Sequence, residues 1–391
     1  MTRDDNEGKL MRDVAIIGVG STVFGKLPER LVRDMGSEAV WAAINDANVS
    51  PKEIEFAYCS TTFGGAVCGE RILTEVGISG IEVVNVENAC AGGATAFRGV
   101  WNAIASGLYD IGLVVGVESM TTSPIARRLI PPEAGDLSGD MGNNMPAHFA
   151  LSMRRHMEIY GTTLEQFAKV SVKNHHNGCL NPYSQYKKEL SIEEILNSRM
   201  ICDPITLLQC CPNTDGAAAA ILCPISIARK YTPKPIIVAA SILKMGDYAS
   251  RWEDMASSDL SSRCAREAYE MAGCGPEDID VCECHDAFAY SELSHYEELG
   301  FCGYGEGGQL IDVGATEITG RIPVNPSGGL LSRGHPVSAT GVEQIVEIVW
   351  HLRDEAGKRQ VAGARVGLAH TMGGEVAGLE AGACAIHILK R

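Results

Sequence analysis

The residue with the clearest chemical potential is Cys90, which stands in a run of small residues at positions 87–97, Glu-Asn-Ala-Cys-Ala-Gly-Gly-Ala-Thr-Ala-Phe. A strand-like segment precedes this run at positions 81–86, and an apolar helical segment follows it to about Ser106. A cysteine at the start of a helix has its thiolate stabilised by the helix dipole and by unpaired backbone amides, which lowers the thiol pKa. Cys90 is therefore a candidate nucleophile. The alternative is one more buried structural cysteine in a chain with fourteen.

The elements that must position Cys90 occur twice along the chain. A helix, a Pro-x-(Glu/Asp)-Ile connection and a strand follow one another at positions 31–59, and the same sequence of elements returns at 256–284. The prolines Pro51 and Pro276 are 225 residues apart (276 − 51 = 225). This repeat predicts an internal duplication, although a common helix-to-strand connector is the simpler alternative.

The segment 119–211 fits neither copy, and we interpret it as an inserted loop domain that caps the site. We expect a first half at 12–118 plus 212–245 and a second half at 246–391. Strands that alternate with helices, together with 43 glycines, predict an α/β fold. At 391 residues the chain is long enough for two domains with well-buried cores.

Charge and cysteine content exclude several classes of function. A net charge of −16 and a pI near 5.1 argue against nucleic-acid binding, which needs a basic surface. No apolar run reaches the length of a membrane span. Fourteen cysteines without a visible disulfide framework predict a reducing, cytoplasmic location. Neither Cys210-Cys211 nor Cys282-x-Cys284 has the paired spacing of a zinc site, so we expect no bound metal.

Four stretches together resemble one family, the thiolases, and within it the thiolase domain of the sterol-carrier-protein-X type. The resemblance runs over nearly the whole chain and includes two stretches of the insertion, at 173–185 and 207–221. It implies two duplicated βαβαβαββ halves stacked in five layers, αβαβα, with an inserted loop domain. The four stretches are Asn88-Ala-Cys90-Ala-Gly-Gly93, His285-Asp-Ala-Phe288, Asn325-Pro-Ser-Gly-Gly-Leu330 with Gly334-His-Pro-Val-Ser-Ala-Thr-Gly341, and His370-Thr-Met-Gly-Gly374.

The resemblance implies a catalytic role for three side chains. Cys90 would be the nucleophile that takes the acyl group as a thioester, and His335 would accept the thiol proton. His285 stands where many thiolases have an asparagine that binds the thioester oxygen as it gains negative charge.

Backbone donors and pocket walls complete the expected site. A second oxyanion site would use the backbone N–H of the nucleophile together with that of Gly373 or Gly374. Phe288 would line the acyl pocket, and Ser327 and Gly328 are further substrate-binding candidates.

The chain departs from the family at both places where a second, proton-transferring cysteine is usual. One place is Thr371, whose hydroxyl pKa is far too high for the task, and the other is Ala287, which has no proton to move. Because His285 is present while both thiols are absent, we hypothesise that His285 moves the α-proton.

The implied function is a thiolase that cleaves a 3-oxoacyl-CoA with free coenzyme A, or runs the reverse Claisen condensation. The acyl group could be bulky or aromatic, as in the large subunit of a benzoylsuccinyl-CoA thiolase, or it could be acetoacetyl. We expect no permanently bound cofactor, a homodimeric core and a small zinc-ribbon/OB-fold partner protein. The alternatives are a thiolase-like lyase that acts on steroid side-chain CoA esters and a non-catalytic acyl-CoA-binding scaffold.

The insertion is rich in basic residues for so acidic a chain. They could attract an anionic substrate such as a coenzyme A phosphate, or they could form solvated helix faces. They are Arg127, Arg128, Arg154, Arg155, Lys169, Lys173, Lys187 and Lys188.

Overall fold

The computed structural model describes residues 11–123, 140–247, 254–374 and 381–391. Within these ranges no helix is long and apolar enough to cross a membrane. The strands are β1 Val14–Ser21, β2 Phe56–Ser60, β3 Glu82–Val86, β4 Gly112–Ser119, β5 Met200–Cys202, β6 Ile205–Thr206, β7 Asp215–Pro224, β8 Ile236–Lys244, β9 Val281–Glu283, β10 Val366–Gly373 and β11 Ala383–Lys390. The helices are α1 Val32–Ala47, α2 Cys68–Val76, α3 Gly92–Ala105, α4 Met145–Tyr160, α5 Leu164–Leu180, α6 Ile192–Leu196, α7 Ile225–Ala228, α8 Asp259–Ala272, α9 Ala289–Glu298, α10 Gly307–Asp312, α11 Gly329–Ser332 and α12 Val337–Arg353.

Nine strands form one sheet in the order β3-β2-β4-β7-β1-β8-β11-β10-β9. In the first half β2 pairs parallel with β4 and β4 antiparallel with β7; in the second half β9, β10 and β11 repeat this pattern. A parallel bridge between Cys282 and Val324 takes the place that β3 has beside β2. The halves are joined where β1 pairs antiparallel with β8 at Ala15 and Ile16. The predicted duplication is confirmed.

The repeat also holds in its details. The turns Pro51–Glu53 and Pro276–Asp278 precede β2 and β9, whose first residues are again 225 positions apart (281 − 56 = 225). The preceding helices α1 and α8 both end on a left-handed residue, Asn48 and Gly273. Such a residue terminates a helix because its amide bonds the last carbonyls.

Three apolar cores separate the layers. One side of the first-half sheet packs on α1 and α2, and one side of the second-half sheet packs on α8 and the helices of the insertion. The inner faces of both half-sheets share a third core with α3 and α12, which therefore form the middle layer. Each fully buried leucine, isoleucine or phenylalanine there contributes about 1.5–3 kcal/mol. The five-layered α/β fold is thus confirmed.

The inserted segment carries α4, α5, α6 and the β5–β6 hairpin. Helix α6 ends at Leu196, and the carbonyl of Ile195 in its last turn accepts the hydroxyls of Ser198 and Thr206. The strand β7 follows the insertion and lies in the first-half sheet. The division into 12–118 plus 212–245, 119–211 and 246–391 stays a prediction.

Most basic side chains of the insertion are paired within the protein. Lys173 is buried and makes an ion pair with Glu292, whereas Lys187 donates to the carbonyl of Pro182. Arg127 and Arg128 lie outside the described residues. The remaining ion pairs are Arg154–Asp203, Arg155–Asp254, Lys169–Asp312 and Lys188–Glu194.

Candidate active site

Cys90 lies in a tight turn, Ala89–Ala91, that leads directly into α3. The preceding residue, Ala89, has φ +47°, a left-handed conformation that costs an alanine about 1–2 kcal/mol. Strain of this kind persists only where the surrounding structure holds it, and it is common at functional sites. The turn fixes the direction of the Cys90 side chain, which is 9% exposed.

Glycines let the two middle-layer helices approach at their first turns. A Cβ atom on Gly93 would meet the backbone oxygen of Ser338 well inside contact distance, and a Cβ on Gly341 would lie 2.6 Å from the amide nitrogen of Ala94. Only hydrogen fits at these positions. The start of α3, with the nucleophile, is thereby brought beside the start of α12, which follows His335.

His335 contacts the nucleophile directly. Its Nε2 lies 3.3 Å from Cys90 Sγ, and its Nδ1 is hydrogen-bonded to Thr340 Oγ1 at 2.8 Å. The Thr340 hydroxyl itself donates to the carbonyl of Pro336, so Nδ1 must carry the hydrogen of its bond to Thr340. The lone pair on Nε2 therefore faces the thiol.

The Cys90 thiol is protonated at rest, which corrects the expectation of a lowered pKa. Burial raises the pKa of Cys90 to about 12, and the carboxylates of Glu118 and Glu87 add to the rise. Hydrogen bonds from the backbone N–H groups of Cys90 and Gly374 favour the thiolate, but burial outweighs them. Burial also lowers the pKa of His335 to about 3. The resting pair is thus a neutral thiol and a neutral imidazole ready to accept its proton.

His285 completes the constellation. Its ring packs edge-on against that of His335 with centroids 5.1 Å apart. Among the described residues, one ligand atom from each of Cys90, His285 and His335 lies within 4.8 Å of the others. These are donor types that also suit zinc. Burial and the neighbouring imidazole of His335 lower the pKa of His285 well below its ordinary value, so it is neutral.

The loop that carries His285 is held by its neighbour Asp286. The Asp286 carboxylate accepts hydrogen bonds from the backbone of Leu330 (2.7 Å) and Leu331 (3.2 Å) and from the amide of Asn174 (2.7 Å). These contacts tie the insertion and the helix start at α11 to the end of β9. His285 therefore has a fixed position relative to Cys90.

The remaining predicted residues fall into two places. Gly373 and Gly374 end β10 against the Cys90 turn, and a Cβ on Gly373 would collide with the amide of Ala91. Ser327 and Gly328 are instead buried in the scaffold: the Ser327 hydroxyl donates to Glu283 at 2.6 Å, and Gly328 lies against Gly178. Substrate binding by Ser327 and Gly328 stays a prediction.

Phe288 packs between the second half and the insertion. Its ring lies 4.6 Å from that of Phe149 on α4, centroid to centroid. The apolar surroundings of the thiol itself come from Met120, Val337 and the half-buried Phe63. Sequence reasoning assigned no role to Phe149, Met120, Val337 or Phe63. Met120 and Phe63 directly follow β4 and the turn after β2, and side chains that follow parallel strands commonly line ligand sites.

Thr371 and Ala287 occupy the two positions at which the resemblance leads one to expect a second cysteine. Thr371 is buried and donates to Gln344 Oε1 at 2.5 Å, which leaves its hydroxyl occupied within the scaffold. Ala287 lies in the site loop between Asp286 and Phe288, and its carbonyl accepts the backbone N–H of Cys211 at 2.9 Å.

Two family models match the chain: the thiolase N-terminal domain over residues 14–226 and the thiolase C-terminal domain-like family over residues 244–385. The chain belongs to the thiolase family. An acetyl-CoA acetyltransferase from Methanothermobacter thermautotrophicus is 43% identical over 388 residues, covering 97% of this chain and all of the relative. The prediction from the motifs that the chain is a thiolase is confirmed, and the protein is an enzyme of the acyltransferase class.

Other relatives agree with the subfamily. Sterol carrier protein 2 of Bos taurus is 42% identical over 388 residues, which are 94% of this chain and 71% of the relative. Benzoylsuccinyl-CoA thiolase subunit BbsB of Thauera aromatica is 36% identical over 370 residues, with 94% and 96% coverage. The resemblance to thiolases of the sterol-carrier type is thereby confirmed.

Among solved structures, the thiolase shares its fold with an Ltp2-ChsH2(DUF35) aldolase. The TM-score is 0.85 at 25% identity, covering 97% of this chain and 98% of the other. A similar protein is therefore known as an aldolase with a DUF35 partner.

Proposed function

We propose that this thiolase transfers an acyl group through Cys90, cleaving a 3-oxoacyl-CoA with free coenzyme A or condensing two acyl-CoA molecules in reverse. The observation that carries the proposal is the 3.3 Å contact between Cys90 Sγ and His335 Nε2. A thiol with a raised pKa attacks a carbonyl only when a base takes its proton, and His335 is placed to do so.

The remaining site residues support the same reaction. The neutral imidazole of His285 can donate a hydrogen bond to the thioester oxygen, as an asparagine does in many thiolases. The backbone N–H groups of Cys90 and Gly374, which favour negative charge on the sulfur, suit a second oxyanion site. Gly373 belongs to this site because it lets β10 approach the Cys90 turn. Phe288 lines the acyl pocket.

The test is covalent labelling. Incubation with acetoacetyl-CoA should add one acetyl group to the enzyme, detected by intact mass spectrometry and mapped to Cys90 by peptide mass spectrometry. Cys90→Ser should give no adduct, whereas Cys274→Ser, at a partly exposed cysteine outside the site, should label normally. An adduct that persists in Cys90→Ser would contradict the proposal.

The acyl group and the setting of the enzyme belong to the same proposal. The acyl group is either small, as in acetoacetyl-CoA, or bulky and aromatic, as the name of the relative BbsB suggests. A screen of 3-oxoacyl-CoA esters would separate the two. We further propose coenzyme A as substrate without a permanent cofactor or metal, and cytoplasmic location.

The assembly is proposed to be a homodimeric core with a small zinc-ribbon/OB-fold partner. The likeness to the DUF35-partnered aldolase supports the partner. Purification after co-expression with neighbouring small open reading frames would test it, and light scattering would give the subunit number.

A lyase that cleaves CoA esters by retro-aldol chemistry is the second candidate, and the structural likeness to the aldolase favours it. Aldol cleavage needs no acyl-cysteine, so it leaves the contact between Cys90 and His335 unexplained. Release of an aldehyde or ketone without added coenzyme A, and without an adduct on Cys90, would identify the lyase. A non-catalytic scaffold would show neither an adduct on Cys90 nor release of an aldehyde or ketone.

A further inference from the structure

Cys211 lies directly opposite Ala287, one of the two places where a thiolase of this type usually has its second thiol. The segments that contain them form an antiparallel bridge at Cys210 and Phe288, and the Cys211 N–H donates to the Ala287 carbonyl at 2.9 Å. Directly opposed residues of an antiparallel pair place their side chains on the same face, with Cβ atoms about 4.5–5.5 Å apart. The thiol of Cys211 therefore projects to the same side as position 287.

The segment with Cys211 is also fastened to His335. Asn213 forms a parallel bridge with His335, and the backbone N–H of His335 donates to Thr214 Oγ1 at 3.0 Å. Residues 211–214 thus connect the loop that contains Ala287 to His335, the base that activates Cys90. Cys211 lies within this connection.

The Cys211 thiol is buried, and Cys90 is among the groups whose charge it senses. Burial raises the pKa of Cys211 well above its ordinary value, and the charges of Cys210 and Cys90 contribute to the rise. The residue nevertheless keeps intermediate exposure, unlike the fully buried Cys282 and Cys284. It is a protonated, buried thiol on the same side as position 287.

The sequence-based candidate, His285, is poorly suited to carry the proton. Burial lowers the pKa of His285 well below its ordinary value, and the nearby His335, His370, His295 and Arg333 side chains lower it further. A proton placed on His285 would create a buried imidazolium beside those groups. A neutral imidazole can still donate a hydrogen bond to an oxygen, so the two tasks can be divided between His285 and Cys211.

We propose that Cys211 is the acid/base residue that moves the α-proton, in place of the thiol missing at position 287. The inference rests on the proposed thiolase reaction and reassigns only the α-proton, which the sequence-based hypothesis gave to His285.

In the cleavage direction the steps balance as follows. Cys90 gives its proton to His335, and its sulfur bonds to the 3-keto carbon; the bond between the α-carbon and that carbon then breaks. The released enolate of acetyl-CoA takes the proton of Cys211 at carbon, leaving a Cys211 thiolate. That thiolate takes the proton of the incoming coenzyme A thiol, whose sulfur displaces Cys90 from the acyl group. The Cys90 thiolate finally recovers its proton from His335.

The experiment separates acyl transfer from proton transfer. Acetyl-CoA in D₂O, followed by NMR, reports exchange of its methyl protons, and acetylation of Cys90 by mass spectrometry reports the acyl step. In Cys211→Ala and Cys211→Ser, we expect exchange and acetoacetyl-CoA cleavage to fall about 10²–10⁴-fold while Cys90 is still acetylated. Cys210→Ala is the matched control, because the Cys210 thiol points away to the carbonyl of Thr206, and it should keep both activities.

Three outcomes decide the matter. Exchange at the wild-type rate in both Cys211 variants would overturn the assignment and leave the thiolase proposal intact. Loss of exchange in His285→Asn, with exchange kept in the Cys211 variants, would return the role to His285. A wild-type enzyme that never acetylates Cys90 would overturn the proposed function and the inference together. The isosteric Cys211→Ser keeps the test valid if the alanine variant does not fold.

Discussion

The two halves of the thiolase share a strand order but differ in their titratable side chains. None of the ten histidines lies in the first-half segments 12–118 and 212–245. The second half, from position 246, contains His285, His295, His335, His351, His370 and His387. The nucleophile thus comes from one half and the imidazoles that can handle protons come from the other. The duplication provides two equivalent helix starts, and each carries a different part of the chemistry.

Both halves nevertheless hold their site loops in the same way. In the first half the buried Glu118 accepts the backbone N–H groups of Thr62 (3.0 Å) and Phe63 (2.9 Å) after β2. In the second half Asp286 does the same for Leu330 and Leu331. Both halves thus use a carboxylate to hold a site loop, but from different strands, since Glu118 lies in β4 whereas Asp286 follows β9, the counterpart of β2.

The strongest test of this division is removal of the second-half base. His335→Gln should lower kcat/KM for thiolysis about 10²–10⁴-fold, because the Cys90 thiol, with its pKa raised to about 12, then has no proton acceptor. Initial-rate kinetics with the cleaved 3-oxoacyl-CoA would measure the loss. His176→Gln, at an exposed residue of the insertion, is the control and should retain activity. A His335→Gln enzyme with normal activity would show that His335 is not the base that accepts the Cys90 proton.

Forcing apart the first turns of α3 and α12 should have the next largest effect. Gly93→Ala should lower the free energy of unfolding by about 3 kcal/mol, because the added methyl meets backbone of α12 that cannot move aside. Urea denaturation would measure the change. Gly25→Ala, where the nearest atom lies 3.9 Å from the added Cβ, should be close to neutral. Equal stabilities for the two variants would contradict the close approach of α3 and α12.

The matched carboxylates can be compared by removing their charge. Glu118→Gln should cost about 2 kcal/mol of stability, because an amide cannot accept all the hydrogen bonds that the carboxylate accepts. It should also raise the alkylation rate of Cys90 by iodoacetamide, since the charge of Glu118 raises the pKa of that thiol. Asp286→Asn should show a similar loss of stability. Slower alkylation in Glu118→Gln would refute this electrostatic link between β4 and the nucleophile.

The smallest effect concerns acid stability. His387 on β11 occupies the place that Ala220 has on β7: His387 faces Ala369 and Ala220 faces Val114. Ala369 and Val114 in turn pair with the third residues of β9 and β2. Burial lowers the pKa of His387 from 6.5 to about 3, so between these values the unfolded chain binds a proton that the folded chain does not. Stability is therefore lost as the pH falls through this range.

His387→Ala should make that loss shallower, by up to about 1.4 kcal/mol per pH unit. Unfolding midpoints measured from pH 7 to pH 4 would show it. Parallel curves for the variant and the wild type would mean that His387 does not contribute to acid sensitivity.

The sequence was sufficient for the fold and for the identity of the chemical groups. The constant offset between Pro51 and Pro276 predicted the duplication, and the small residues around Cys90 predicted its place at a helix start. The direction of the Cys90 pKa shift was wrong, because it depends on how completely other elements cover the sulfur. Met120, Val337 and Phe63 cover it; Met120 and Phe63 belong to no motif, and Val337 stands in the His335 motif, 247 positions from Cys90 (337 − 90 = 247).

The same limit explains Cys211. Its neighbour Ala287 is 76 positions away (287 − 211 = 76), and only the bridge between their segments brings them together. Ser327 shows a contact that its motif does not reveal, because the folded chain buries its hydroxyl against Glu283, while its predicted role in substrate binding stays a prediction. Motif spacing specifies residue types, but long-range pairing decides which of them face the ligand.

The pairing of β1 with β7 has a consequence for synthesis on the ribosome. Val14 is opposite Pro224, so β1 must wait for the whole insertion to be synthesised before its principal neighbour exists. The middle layer waits longer still, since α12 ends at Arg353. Contacts this far apart in sequence slow folding, and unpaired strands invite association with other chains. The nascent protein therefore spends most of its translation with β1 uncovered, and chaperone dependence during synthesis is the expected result.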